Sequence, residues 1–189
     1  MIVNGALLAF PPGSRSFSAW QTFHIFPSRS YTRPMQNFFM ARAIELVIEN
    51  ARSGRGGPFG AVVVKDDTII AEGANSVTVA NDPTAHAEIL AIRRACAKLG
   101  VFQLDGFDLY TSCEPCPMCL GAIYWARPAH VYFAGTAADA SRVGFDDSFI
   151  YREIPLAPSE RKIPMMQLMR EEALEAFRAW ERQASKVPY

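Results

Sequence analysis

Thr84-Ala85-His86-Ala87-Glu88 and Thr111-Ser112-Cys113-Glu114-Pro115-Cys116-Pro117-Met118-Cys119 are the stretches on which the reading of this chain turns. Each leads into an apolar run with helical spacing. Between them they supply one imidazole, one carboxylate beside it and two thiols at i, i+3. A catalytic zinc site needs that set: three protein ligands, an open fourth position for water, and a nearby general base.

Each piece alone is weak. A lone histidine in a helix is more often a surface or satisfied core residue than a ligand, and His24 and His130 are left at that level. A single C-x-x-C is shared by redox pairs and structural zinc sites. The combination carries the argument, because both pieces start helices and Pro-Cys-Pro-x-Cys follows a strand. Helix N-termini carry partial positive charge, which favours thiolates at Cys116 and Cys119. Cys113 extends the spacing to C-x-x-C-x-x-C, but a bacterial ferredoxin run needs a fourth cysteine followed by proline. Leu120-Gly121-Ala122 stands there instead, so Cys113 and Cys96 read as buried thiols.

Glu88 decides between a structural and a catalytic zinc. A structural site is closed by four ligands and gains nothing from a further carboxylate. With His86, Cys116 and Cys119 as ligands, the fourth position is left to water. The H-x-E…P-C-x-x-C pattern is the one of zinc nucleobase deaminases. In that chemistry Glu88 takes the water's proton, gives one to a ring nitrogen, and gives one to departing ammonia. A role for Glu88 at the helix dipole is compatible with this one.

The totals narrow the setting. The 189 residues fit one domain; half are hydrophobic and a fifth charged, which is globular composition. Nineteen residues of each sign give zero net charge, which argues against a nucleic-acid partner. Three of the four cysteines crowd into 113–119, too tight for a disulfide framework, and no secretory pattern is seen. A reducing, intracellular setting follows, with no run approaching the roughly 20 apolar residues of a membrane span.

Residues 1–34 contain no Asp or Glu, carry Arg15, Arg29 and Arg33 among serines, and show no period. They are expected to be an N-terminal extension outside the fold, with the deaminase domain over 35–189. The localisation expected is cytoplasmic, or an organelle if 1–34 is an Arg- and Ser-rich transit peptide.

From Met35 the pattern predicts a helix carrying Phe38, Phe39, Ile44, Leu46, Val47 and Ile48, ending before Gly54. Ala61–Val64 and Thr68–Ala71 read as a hairpin turned by Asp66-Asp67. A polar loop spans Gly73–Pro83. A helix over Ala85–Leu99, N-capped by Thr84, stops at Gly100. A strand at Phe107–Thr111, a helix opened by Pro117, and a strand at His130–Ala134 follow. Ile163–Met169 is expected as an edge strand because of Pro164, and the last helix, from Glu171, is expected to bury Leu174, Phe177 and Trp180. Strands separated by helices predict an α/β sandwich with a mixed sheet.

From Met35 to Tyr189 the chain resembles the cytidine deaminase superfamily, and more narrowly its bacterial guanine deaminases. The zinc motifs fit every member. Gly56-Gly57-Pro58-Phe59-Gly60 and Gly144-Phe145-Asp146-Asp147-Ser148-Phe149-Ile150-Tyr151 are similar to the guanine-specific branch. The resemblance implies a three-layer αβα sandwich around a five-stranded sheet and one zinc per subunit. It also implies a homodimer whose C-terminal segment crosses to the partner, so that Tyr189 closes the neighbouring site. The implied base pocket is Phe59 for stacking, Asn75 for hydrogen bonding, Ala87, Trp125 in the wall, and Asp147 on the purine edge. Guanine presents N–H donors where adenine offers an unprotonated ring nitrogen, and an ionised carboxylate only accepts. The expected reaction is zinc-dependent hydrolysis of guanine to xanthine and ammonia. Guanosine and tRNA adenosine stand as alternative substrates, and a non-catalytic zinc module as the alternative of another class.

Overall fold

The computed structural model describes residues 32–189, so the expected extension over 1–34 lies almost wholly outside the described residues. The elements run α1 (Arg33–Ser53), β1 (Gly60–Lys65), β2 (Thr68–Ala74), α2 (Val77–Ala80), α3 (Ala87–Leu99), β3 (Asp108–Cys113), α4 (Pro117–Ala126), β4 (His130–Gly135), α5 (Ala137–Ser141), α6 (Ser148–Glu153) and α7 (Arg170–Arg182).

The sheet has the order β2-β1-β3-β4, antiparallel except for the parallel pair β3–β4. It is therefore mixed, as expected. The β1–β2 turn places Asp66 and Asp67 at φ 47° and 60°, the left-handed pair that matches strand twist in a two-residue hairpin. β1 is buried on both faces, which explains its unbroken apolar run. Alternation along it serves two cores. Val62 and Val64 join Phe39 and Leu46 of α1 and Tyr110 of β3. Ala61 and Val63 join Ala87, Ala91 and Ala95 of α3 and Ile123 and Ala126 of α4. Helices therefore cover both faces of the sheet. Gly60 lets α1 approach, since a Cβ there would lie 2.4 Å from the Ala43 carbonyl oxygen.

Several expectations need correction. Among the described residues the sheet has four strands, not five. The segment 163–169, expected as an edge strand, pairs with no strand among the described residues, and Ile163, Met166 and Leu168 are 81%, 82% and 80% exposed. Its apolar residues are left exposed among the described residues. The same holds for α7, which buries none of its residues. The N-cap of α3 is His86 rather than Thr84. The Thr84 hydroxyl is spent instead on Asp82, donating to its Oδ1 at 2.7 Å. The polar loop after β2 also contains the short helix α2.

Candidate metal centre and adjoining cavity

His86 and Cys116 are the N-cap residues of α3 and α4, both with extended backbone. Two helices thus begin at one point, and each sets its ligands through local sequence. The loop before His86 is fixed by Asp82, whose Oδ1 accepts from the Thr84 amide at 2.8 Å, while the His86 amide donates to the Thr84 carbonyl at 2.8 Å. Pro117 occupies the first turn of α4, where its missing N–H costs nothing, and Cys119 lies one turn on, fully buried.

His86 Nδ1 lies 3.5 Å from the Sγ atoms of both Cys116 and Cys119. The three donor atoms all fall within 4.8 Å of one another. Tetrahedral zinc, with Zn–N near 2.0–2.1 Å and Zn–S near 2.3 Å, places a nitrogen and a sulfur ligand roughly 3.5–3.6 Å apart. Donor type and spacing both fit zinc.

The electrostatics of the cluster favour a cation. Cys116 is drawn down to about 4 by hydrogen bonds with the Cys119 thiol and the His86 imidazole. Cys119, bonded to that thiolate and buried beside Glu88, is pushed up and keeps the shared proton. A bound cation displaces that proton, since a coordinating thiol is deprotonated outright. His86 is raised through its hydrogen bond to Cys116. Glu88, 6% exposed in the first turn of α3, is raised by burial. A carboxyl so placed exchanges protons at a higher pH than an ordinary glutamate.

The cluster opens into a cavity of about 580 Å³. Of the residues expected at the site, His86, Glu88, Cys116, Phe59, Asn75 and Asp147 line it together. Asn75, 5% exposed, commits its Oδ1 to the amides of Gly57 (3.0 Å) and Val77 (3.3 Å). Its NH₂ is the polar group left for the cavity. Asp147 is the N-cap of α6 but makes no capping hydrogen bond with its side chain, and partial burial raises its carboxyl.

Three expected residues lie elsewhere. Ala87 is fully buried in α3, its carbonyl against the backbone of Gly73, and does not line the cavity. Within one protomer, Trp125 and Tyr189 stand outside the cavity and pack against each other, ring centroids 5.7 Å apart. Cys113 and Cys96, expected as buried thiols, are half-buried, and Cys113 borders the cavity.

Three further contributors went unread in the sequence. Phe145 meets the Phe59 ring edge-on at 4.9 Å, and both line the cavity. Glu114, inside the cysteine motif, also lines it. Asn50, 4% exposed near the end of α1, donates from Nδ2 to the carbonyls of Gly57 and Asn75, each at 2.8 Å. It clasps the loop that carries Phe59. Gly56 makes that approach feasible, as a Cβ there would sit 2.0 Å from the Asn75 carbonyl oxygen.

Comparison with known proteins agrees with this geometry. The family model for the cytidine and deoxycytidylate deaminase zinc-binding region matches residues 34–135. A guanine deaminase of Bacillus subtilis is 59% identical over 151 residues, 80% of this chain and 97% of that one. The X-ray structure of guanine deaminase from Bacillus subtilis superposes with a TM-score of 0.79 at 58% identity, covering 81% of this chain and 98% of that one. A tRNA-specific adenosine deaminase of Agrobacterium fabrum is 46% identical over 93 residues, 48% of this chain and 61% of that one. The last likeness spans about half of this chain, whereas the first two run through nearly the whole of their counterparts. The chain belongs to the cytidine and deoxycytidylate deaminase family.

Proposed function

We propose that the protein hydrolyses guanine to xanthine and ammonia, using one zinc ion per subunit held by His86, Cys116 and Cys119. The observation that carries this reading is the opening of the His/Cys/Cys cluster and Glu88 into one cavity with Phe59, Asn75 and Asp147. The likeness to the Bacillus subtilis guanine deaminase, which extends through the Asp147 region, supports guanine as the base.

Zinc at this site supplies Lewis-acid activation of the attacking water, bringing its proton loss toward about pH 7. Everything else is the work of the chain. Phe59 stacks on the purine, and the Asn75 NH₂ donates to a purine acceptor. The Asp147 carboxylate accepts from guanine N–H groups, which orients C2 toward the water. The water oxygen bonds to C2, and the C2–N bond to the amino group breaks. Glu88 receives a proton from the water and delivers it to the adjacent ring nitrogen. It carries the second to the amino group, which leaves as ammonia. Both protons of water are thereby accounted for.

The reading includes a three-layer αβα arrangement, supported by helices on both faces of the sheet. It includes a homodimer in which the C-terminal segment crosses to a partner copy. The exposed apolar residues of 163–169, and a last helix that buries nothing on its own chain, support that exchange. In such a dimer Tyr189 of one protomer would close the cavity of the other. The free cysteines suit a reducing compartment such as the cytoplasm.

Reaction in ¹⁸O-labelled water tests the proposal. One labelled oxygen in the xanthine carbonyl supports direct hydrolysis at C2. Unlabelled product, or none, contradicts it.

A further inference from the structure

One stretch of the cavity wall runs from Ala137 through Ala140 and Phe145 to Asp147. It is not secured by a core: neither α5 nor α6 buries any residue. Besides the packing of Phe145 on Phe59, it is attached where β3 and β4 end side by side, with Cys113 opposite Gly135. There the Glu114 amide donates to the Gly135 carbonyl at 2.8 Å. Cys113 Sγ lies 3.5 Å from the Thr136 carbonyl oxygen.

The start of α5 leaves amides that its own cap does not serve. Thr136 and Asp139 form a capping box that satisfies the N-cap and N3 amides reciprocally. The Ala137 amide, at the first helical position, is not served by it. Glu114 Oε2 accepts from that amide at 3.0 Å. The acceptor is anionic and sits at a helix start, which makes it a charge-assisted bond. It joins the segment that leads into Cys116 and α4 to the wall that carries Asp147.

We propose that Glu114 is a positioning residue that fixes the base-binding wall relative to the metal cluster through the Ala137 amide. The inference rests on the reading of the cavity as a guanine site, and it adds a specific device to that site. Glu114 transfers no proton in this scheme. Its loss widens the range of positions open to Asp147 and weakens guanine binding, leaving the chemical step nearly intact.

The test uses zinc-loaded, full-length protein and three variants. Glu114→Ala removes the acceptor. Glu114→Gln keeps a carbonyl oxygen in its place and removes the charge. Ala137→Pro removes the donor from the other side without touching Glu114. Proline is tolerated at a first helical position, and Thr136 at φ −92°, ψ 163° is already in the region a following proline requires. Steady-state kinetics on guanine are paired with hydrogen exchange of the 137–147 segment and with zinc content.

Glu114→Ala and Ala137→Pro are each expected to raise KM about tenfold, with kcat and zinc content nearly unchanged and faster exchange across 137–147. Glu114→Gln is expected to stay within a factor of about three of the parent in KM, because the hydrogen bond survives. Unchanged KM and exchange in Glu114→Ala would overturn the inference. So would a fall in kcat alone, or a Glu114→Gln variant as impaired as Glu114→Ala. Should the parent protein leave guanine untouched, the functional reading fails, while the exchange comparison still decides whether Glu114 holds the wall.

Discussion

The Asp146 carboxylate accepts a hydrogen bond from the Ser148 amide at 3.0 Å, and this turn presents the next residue, Asp147, to the cavity. Two adjacent aspartates thereby divide the work. Asp146 satisfies the start of α6, and Asp147 remains available for the base. Asp147→Asn puts an amide in place of an acceptor-only group. If the amide N–H faces guanine, donor meets donor. The expected outcome is a loss of about 10²-fold or more in kcat/KM for guanine, with zinc content unchanged. Kinetics beside metal analysis checks it.

Asn50 gives a stability prediction. Its Nδ2 serves two carbonyls in a buried setting, so Asn50→Asp replaces a double donor by an acceptor facing two acceptors. A loss of about 1–3 kcal/mol is expected, more if the carboxyl ionises, read as a lowered urea midpoint. A rise in KM for guanine should accompany it, because the same bonds set Phe59 and Asn75.

How the sequence led to the metal cluster, and not to Asn50, has a physical reason. His86, Cys116 and Cys119 are set by short-range features: a helix start, a proline at its first turn, and i, i+3 spacing. Asn50 acts on Gly57 and Asn75 through loops whose path no local pattern encodes. The edge strand expected over 163–169 and the buried face expected of α7 do not form among the described residues. An apolar pattern marks residues suited to packing but does not encode which surface they pack on. The Thr84 N-cap failed because Asp82, two residues earlier, competes for the same hydroxyl.

Arg42 and Glu72 tie α1 to the edge strand β2 through two hydrogen bonds of 2.8 and 2.9 Å. The bond from Arg42 holds the Glu72 carboxyl below its ordinary 4.5. A depressed folded-state value means the contribution is fully present above the unfolded value and is lost as pH falls through the folded one. Glu72→Gln should therefore be less stable than the parent at neutral pH, with the difference vanishing at low pH. The pair is about a third exposed, so screening limits the gap to about 1 kcal/mol or less. Urea titrations across pH check the sign.

Metal removal separates ligands from the general base. Zinc that binds only the folded protein at a hundredfold excess over its Kd adds about 2.7 kcal/mol, or about 5–10 °C in Tm for a domain of this size. Chelation should lower the parent's Tm by that amount. Glu88→Gln should keep the zinc-dependent shift, and Cys116→Ser should lose most of it.

The central claim is tested most directly by ammonia release from zinc-loaded protein offered guanine, guanosine, adenine, cytosine and cytidine separately, with Glu88→Ala as the control. Release from guanine alone, abolished in Glu88→Ala while zinc stays bound, is the result predicted. Release from guanosine in preference to guanine would contradict the proposed base, and equal release from the Glu88→Ala variant would contradict the proposed chemistry.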